Sequence, residues 1–460
     1  MMRPFESIIS FAEALRILQD AALPLDRTER VTLDDAADRV LAIDVQAPRD
    51  VPAFDRSAMD GYAVRARDTA RASRTHPVAL QLLGRVYAGE TAEIAVESGT
   101  CIEVATGAPI PQGADSVVMV EETQATGTAG RAKAATASRA SAAGASGAEA
   151  VGAGAAGADA VGGDVQVFIE TRVGQHIVRR AADMHAGDRL LSRGAQLTAS
   201  HLGAVAAMGI GEVEIYARPV VAILPTGDEL TPLGTPLPAG HVYDVNRYTL
   251  AAIVRQHGGV PRVFPTVADN LDAVRQAIMR VSALSNGQAA SGRASGTQSG
   301  SAGDDVADLL VLTGGSSVGE HDLVIDILRE QGEVLFHGVA VKPGKPTALA
   351  RIGRLLVLGM PGNPTSCLSN AHVLLAPLLR ATARLPAAQP RIVQARLAVT
   401  VDSPRDRHQF MPVRIAEGQA TPTFKGSGEI TSLSMADGYF EIPAEVARLD
   451  AGTLVDVTLY

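Results

Sequence analysis

The residues best equipped for chemistry are acids lodged in or beside glycine-rich turns. Thr226-Gly227-Asp228-Glu229 carries two carboxylates, Asp269 follows an apolar run, and Asp322 ends the stretch Thr313-Gly314-Gly315-Ser316-Ser317-Val318-Gly319-Glu320-His321-Asp322. Glycines after a buried strand let the backbone approach an anionic group, and a following helix presents unpaired N–H groups and its dipole. Gly359-Met360-Pro361-Gly362-Asn363-Pro364 is a second loop of this kind. Each acid taken singly reads as a helix cap or a solvated turn. Taken together, carboxylates converging where phosphates are cradled predict Mg²⁺, which binds one or two carboxylates plus substrate oxygens.

A second cue is cationic. Of 41 basic residues only four are lysine (Lys133, Lys342, Lys345 and Lys425), yet two of the four stand three apart in Lys342-Pro343-Gly344-Lys345-Pro346. A compact ammonium is not interchangeable with a planar guanidinium. The two prolines restrict the backbone on both sides of Gly344, so the charges are held at a fixed spacing. A solvated basic turn is the plain reading. The scarcity of lysine and the position between two glycine loops favour a site for a small tetrahedral dianion.

The loop Phe54-Asp55-Arg56-Ser57-Ala58-Met59-Asp60-Gly61-Tyr62-Ala63 packs acids, Met and aromatics into a non-periodic run, which is unusual for a linker. Thr106-Gly107-Ala108-Pro109-Ile110-Pro111 offers a hydroxyl and bare backbone. Alone, both read as turns. There is no Ser–His–Asp spacing, no HExxH, no Walker A loop and no histidine pair at metal spacing, and His337 and His372 read as structural.

The elements that must position these loops follow from periodicity. Ser10 caps a first helix with Glu13 three residues on, and Phe11, Leu15, Leu18 and Ala22 form its apolar stripe. Residues 38–52 read as extended. Strands near 78–83, 101–105 and 116–121 make a small β domain, and a helix is predicted at 198–208. From 218 onward, strands at 219–224, 260–265, 309–312 and 355–358 alternate with helices at 246–257, 270–283, 322–331 and 364–383. Strand, glycine turn and helix in that order predict a parallel α/β sheet with ligands at the carboxyl ends of its strands. Short strands at 391–401, 410–415 and 454–459 form a terminal β domain. Residues 125–163 and 285–304, rich in Ala, Gly and Ser, are low-complexity insertions without a core to bury.

Composition excludes several classes. The 460 residues are 46% hydrophobic, lack Trp and carry a net charge of −9, which argues against nucleic acid, since neutralising phosphates needs a basic face. Two distant cysteines, Cys101 and Cys367, give neither a disulfide framework nor a metal knuckle and fit a reducing compartment. No signal peptide and no apolar stretch of membrane-spanning length is evident, so the expectation is a soluble cytoplasmic protein.

The segments FDRSAMDGYAVR, TGAPIPQGADSVVMVE, TGDEL, YDVNR, TGGSSVGEHD, KPGKP and MPGNPTSC occur in the order of the MoeA-type molybdenum-cofactor biosynthesis family, which the chain resembles over nearly its whole length apart from the insertions. The resemblance implies a multidomain α/β plus β fold. An elongated discontinuous domain (1–48 with 172–217) carries an inserted β domain (49–171). A central parallel α/β molybdopterin-binding domain (218–386) and a C-terminal β domain (387–460) follow, in a homodimer.

The implied reaction inserts molybdate into adenylylated molybdopterin, with Mg²⁺-dependent hydrolysis of the pyrophosphate bond and release of AMP. The substrate would be handed over by a molybdopterin adenylyltransferase. Carried over by motif, Asp60, Thr106, Asp183, Glu229, Asp269 and Asp322 are important for activity. Of these, Glu229, Asp269 and Asp322 serve Mg²⁺ and pyrophosphate, while Asp60 and Thr106 close the cleft from the partner subunit. Gly314, Gly315, Ser316, Gly319, Pro361, Gly362, Asn363, Pro364 and Ser366 would bind substrate. Lys342, Lys345 and Ser366 would hold molybdate, with Arg407 or Ser427. The chain departs from the family pattern at Arg56, where Asn is common, at Ala181-Ala182, where Gly-Glu is common, and at Met360, where Leu is usual. An adenylyltransferase sharing only the α/β domain, and a non-catalytic scaffold of the same fold, are the competing readings. The first lacks FDRSAMDGYA and the terminal β module, and the second needs no acid set.

Overall fold

The computed structural model describes residues 8–91, 93–126, 162–285, 307–314 and 323–460. They form two compact units, one of residues 1–43, 193–202 and 212–460, the other of 44–192 and 203–211.

The first unit is built on a six-stranded sheet in the spatial order Val260–Val263, Val220–Pro225, Leu309–Thr313, Leu355–Met360, Ala348–Ile352, Glu333–His337. The first four strands are parallel. The last two are added antiparallel, a pair not anticipated from sequence. The three inner parallel strands are apolar on both sides, whereas the edge strand Val260–Val263 is not. Val221, Ile223, Val311 and Leu358 pack with Leu250, Val254 and Leu375 on one face. Ala222, Leu224, Leu312 and Val357 pack with Ile278, Val281 and Leu328 on the other. Burial on both faces explains why these strands read as continuous apolar runs.

The chain leaves the Val220–Pro225 strand toward one neighbour and later returns on its other side at Leu309–Thr313. The strand order therefore reverses between those two strands, and open α/β sheets bind ligands in the crevice at such a point.

The helices follow the expected order, at Asn246–Gln256, Leu271–Ser285 and Leu323–Gln331. The expected helix at 364–383 is α-helical over Pro364–Asn370 and Ala376–Thr382, with a π turn at Ala371–Leu375 between them. Pro377 accounts for the widened turn. It has no N–H to donate and its ring crowds the preceding carbonyls, which the extra residue relieves. The first helix spans Phe11–Ala21, and the amide of Glu13 donates to Ser10 Oγ at 3.1 Å.

A second six-stranded sheet closes this unit. Five strands, His408–Ala416, Gln419–Pro422, Ile392–Leu397, Leu454–Leu459 and Gly438–Ile442, pair in a ring. Val341–Lys342 joins it in parallel, with Lys342 opposite Gln409.

The other unit holds a six-stranded sheet ordered Ser116–Met119, Gly61–Val64, Thr100–Val104, Val78–Val86, Asp164–Val167, Thr123–Ala125. Thr123–Ala125 and Asp164–Val167, at either end of the first low-complexity stretch, pair antiparallel. That stretch lies outside the described residues over 127–161, and the second does so over 286–304. Both cysteines are free and buried. Among the described residues no helix is long and apolar enough to cross a membrane.

Candidate active site

The site assembles at the carboxyl ends of the parallel strands. Thr226 is buried, and its amide donates to the Thr313 carbonyl at 2.8 Å. Beyond Thr313 the chain turns through Gly314 at φ +93, where a Cβ would lie 2.3 Å from the Thr226 carbonyl oxygen. Only glycine fits there. Gly362 comes close to the same spot, since a Cβ on it would be 3.3 Å from the Gly314 Cα. The Gly362 carbonyl is held in turn by the side-chain amide of Asn246 at 2.7 Å. Three strand ends thus form one bare-backbone cradle at the switch point.

Beside it lies the acid turn. Gly227 donates to the Val267 carbonyl at 3.2 Å, and the amide of Asp269 donates to Asp228 Oδ1 at 3.1 Å. These bonds bind the 226–230 turn to the loop after Val260–Val263. Burial, followed by the charges of Glu229 and Asp228, holds the Asp269 carboxyl above its ordinary value. Mutual repulsion among carboxylates is the condition that a cation relieves. Among the described residues no group of three or more His, Cys, Asp or Glu side chains is arranged to hold a metal ion. Asp322, Gly315, Ser316 and Gly319 lie outside the described residues.

The lysine turn arrives at the same edge. Ala348 pairs with Gly359, so the residues just before Ala348 stand beside Pro361 and Gly362. The turn is held at its centre. The Gly344 carbonyl accepts from Asn370 Nδ2 and from Thr347 Oγ1, each at 2.8 Å, and Asn370 is fully buried. The Lys345 carbonyl accepts from the amides of Val339 and Thr347. Lys342 places its ammonium 6.0 Å from the centre of the Phe424 ring. Lys342 and Lys345 are both half-buried.

The loop 361–366 is clasped from the terminal β module. Asn363 Nδ2 donates to Ser427 Oγ at 3.2 Å, the Thr365 amide to the Ser427 carbonyl at 3.0 Å, and Thr365 Oγ1 to the Glu429 carbonyl at 2.7 Å. Pro364 opens the helix after this loop and Ser366 is buried in its first turn. Arg407 is drawn into an ion pair with Asp406 at 3.4 Å.

In the other unit, Asp60 Oδ1 accepts from both the amide and the hydroxyl of Thr106, at 2.7 and 3.0 Å. Both residues are exposed. Gly61 is required beneath them, since a Cβ would fall 2.0 Å from the Val118 carbonyl oxygen. Asp55 is bound by the Arg180 amide and Arg179, which hold its carboxyl below the usual range against the opposing effect of burial. Asp183 is exposed, with its amide on the Val51 carbonyl.

Asn246 and Asn370 are the supports that sequence reasoning missed. YDVNR was visible as a motif, but nothing in it says that Asn246 reaches Gly362. Asp244 of the same motif is buried, and burial raises its carboxyl despite the Arg247 amide and guanidinium nearby.

Three family models, several relatives and solved structures match the chain. The MoeA N-terminal region (domains I and II) matches residues 9–209, a probable molybdopterin binding domain matches 297–381, and the MoeA C-terminal region (domain IV) matches 394–460. The molybdopterin molybdenumtransferase of Bacillus subtilis is 30% identical over 444 residues, covering 94% of this chain and 90% of its own. That of Synechococcus elongatus is 32% identical over 462 residues, covering 98% and 99%. The crystal structure of a molybdopterin biosynthesis MoeA protein from Pyrococcus horikoshii superposes with a TM-score of 0.75 at 31% identity, covering 98% of this chain and 99% of that one.

Proposed function

Because the chain belongs to the MoeA family of molybdopterin molybdenumtransferases, and so acts in molybdenum insertion during cofactor biosynthesis, we propose that its substrate is adenylylated molybdopterin and that AMP is released. In this reading the cradle of Gly314–Ser316, Gly319, Pro361–Pro364 and Ser366 receives the pterin and its phosphates on bare backbone. Lys342 and Lys345, with Ser366 and Ser427, hold molybdate. Two ammonium groups in a half-buried turn attract a dianion more strongly than they would in bulk water. Arg407 is less suited, being occupied by Asp406.

Glu229, Asp269 and Asp322 would hold Mg²⁺, and the Asp269 carboxyl, raised by burial and by the charges of Glu229 and Asp228, offers the hard oxygen that suits a hard cation. When bound, such an ion neutralises phosphoryl charge in the transition state of the pyrophosphate hydrolysis. The chain's own part is to hold the phosphates on backbone amides and to keep the anhydride between the acid turn and the lysine turn. Asp60, Thr106 and Asp183 are further residues important for activity, with Asp60 and Thr106 closing the cleft from the partner subunit. We also propose a cytoplasmic homodimer, divided into the four domains outlined from sequence, that receives substrate from an adenylyltransferase.

The observation that carries the reading is the arrival of the glycine cradle, the acid turn and the lysine turn at one sheet edge. The test is reconstitution. Adenylylated molybdopterin, molybdate and Mg²⁺ are mixed with the protein, and AMP and active cofactor are measured. Stoichiometric AMP and cofactor are expected, with neither formed after chelation. AMP release that is indifferent to chelation defeats the metal assignment, and adenylate made from ATP and molybdopterin would instead identify an adenylyltransferase.

A further inference from the structure

A second cavity lies in the first unit at the opposite end of the Val220–Pro225 strand from the acid turn, a separation of roughly 20 Å at strand rise. It encloses about 370 Å³, and its lining includes Arg39, Arg218, Arg255 and Arg380 against a single acid, Asp38. On a chain of net charge −9 such a local excess of guanidinium is unusual.

The partners of these arginines decide what the excess means. Arg39 is satisfied, paired with Glu29 and bonded to the Tyr216 carbonyl at 3.0 Å. The other three have no carboxylate within ion-pairing distance among the described residues. Arg255 reaches only the Ala251 carbonyl, at a long 3.5 Å, and Arg380 spends its Nε on the Pro386 carbonyl at 2.8 Å. Each guanidinium has five N–H donors, so most of this capacity is uncommitted. Several arginines elsewhere are matched, as in Arg27 with Asp308, Arg85 with Glu103 and Arg275 with Glu330.

Glu29, Asp35 and Asp38 act on Arg218 only at a distance, and Glu29 is already paired with Arg39, so three guanidinium groups keep donors for an added anion. Desolvation and the charge of Arg39 pull the guanidinium of the exposed Arg218 below its ordinary value against the opposing charges of Glu29, Asp35 and Asp38, and burial does the same to Arg380. Planar guanidinium forks match tetrahedral oxyanions in a bidentate manner. The volume exceeds what one inorganic phosphate fills. We infer that this cavity binds a small molecule carrying two or more phosphate-type oxyanion groups, gripped by Arg218, Arg255 and Arg380 and separate from the cradle at the far sheet edge.

Calorimetric titration of the full chain with inorganic pyrophosphate, without added metal, tests the inference. Lys345→Ala weakens the proposed oxyanion turn, so uptake that survives this change reports the arginine cavity. In that background Arg218→Gln and Arg255→Gln should each weaken pyrophosphate about tenfold or more, the scale of one lost charge-assisted bond. The double replacement should abolish uptake. Arg255 lies at an exposed helix end, so Arg255→Gln should retain the wild-type melting temperature without ligand and the wild-type rate of AMP release. It therefore serves even where Arg218→Gln fails to fold. The inference is overturned when no pyrophosphate uptake survives Lys345→Ala, or when the surviving uptake ignores both arginine replacements.

Discussion

Asn246 and Gly362, 116 residues apart, are joined by a 2.7 Å hydrogen bond from the asparagine amide to the glycine carbonyl, and that bond sets the height of the loop facing Gly314. Asn246→Ala leaves a carbonyl without its donor at a cost on the order of 1–3 kcal/mol. Asn246→Asp is worse, because it turns an acceptor against an acceptor. We expect the rate of cofactor formation to fall about tenfold in the first variant and further in the second. Equal rates in the two would show that the contact does not position the loop.

Asp269 is held above its ordinary value by burial and by Glu229 and Asp228. Asp269→Asn removes one of three crowded negative charges, so stability should be unchanged or higher. Activity should fall roughly 100-fold or more, since an electrostatic contribution at a phosphoryl centre is lost. Melting temperature and AMP release measured on one sample check both halves. A parallel drop in stability would make Asp269 a structural residue.

Gly314 leaves no room for a side chain at the strand end. Gly314→Ala combines positive-φ strain of about 1–3 kcal/mol with a collision against the Thr226 carbonyl. Loss of cofactor formation together with a lower urea midpoint is expected, and wild-type values in both would contradict the described turn.

His372 packs its ring 4.6 Å from that of Tyr460. Burial, with His257 beside it, lowers its pKa to about 4, against about 6.5 in an unfolded chain. Between those values the unfolded chain binds the proton and the folded protein does not. Stability therefore rises with pH through this window and is lost as pH falls from 6.5 toward 4, by roughly 3 kcal/mol at most. His372→Phe keeps the aromatic contact and removes the titration. Urea midpoints at pH 5 and pH 7 should differ less in the variant than in the wild type, and an unchanged difference would clear His372 of the effect.

What could be read from the chain beforehand was whatever is local. Ser10 with Glu13 marks a helix start, the run from Val220 to Leu224 marks a doubly buried strand, and glycine after Thr313 marks a tight turn. The antiparallel pair Glu333–His337 and Ala348–Ile352 was not legible, because strands this short carry little periodic signal and their partners are chosen by the sheet. The π turn depended on how Pro377 is accommodated within a continuing helix. The roles of Asn246, Asn370 and Ser427 depend on partners 23 to 116 residues away, which no local pattern encodes. The site types were visible in the residues, and their supports were not.

One backbone segment is stitched into two sheets. Val341 and Lys342 add to the closed terminal barrel, and six residues after Lys342, Ala348 enters the α/β sheet opposite Gly359. The anion turn between them is therefore a tether with both ends fastened. Any rocking of the barrel against the larger sheet must strain or reset the spacing of the two ammonium groups. A chain shortened before residue 387 would free one end of that tether and leave Lys342 without its partner strand, while keeping Lys342, Lys345 and Ser366.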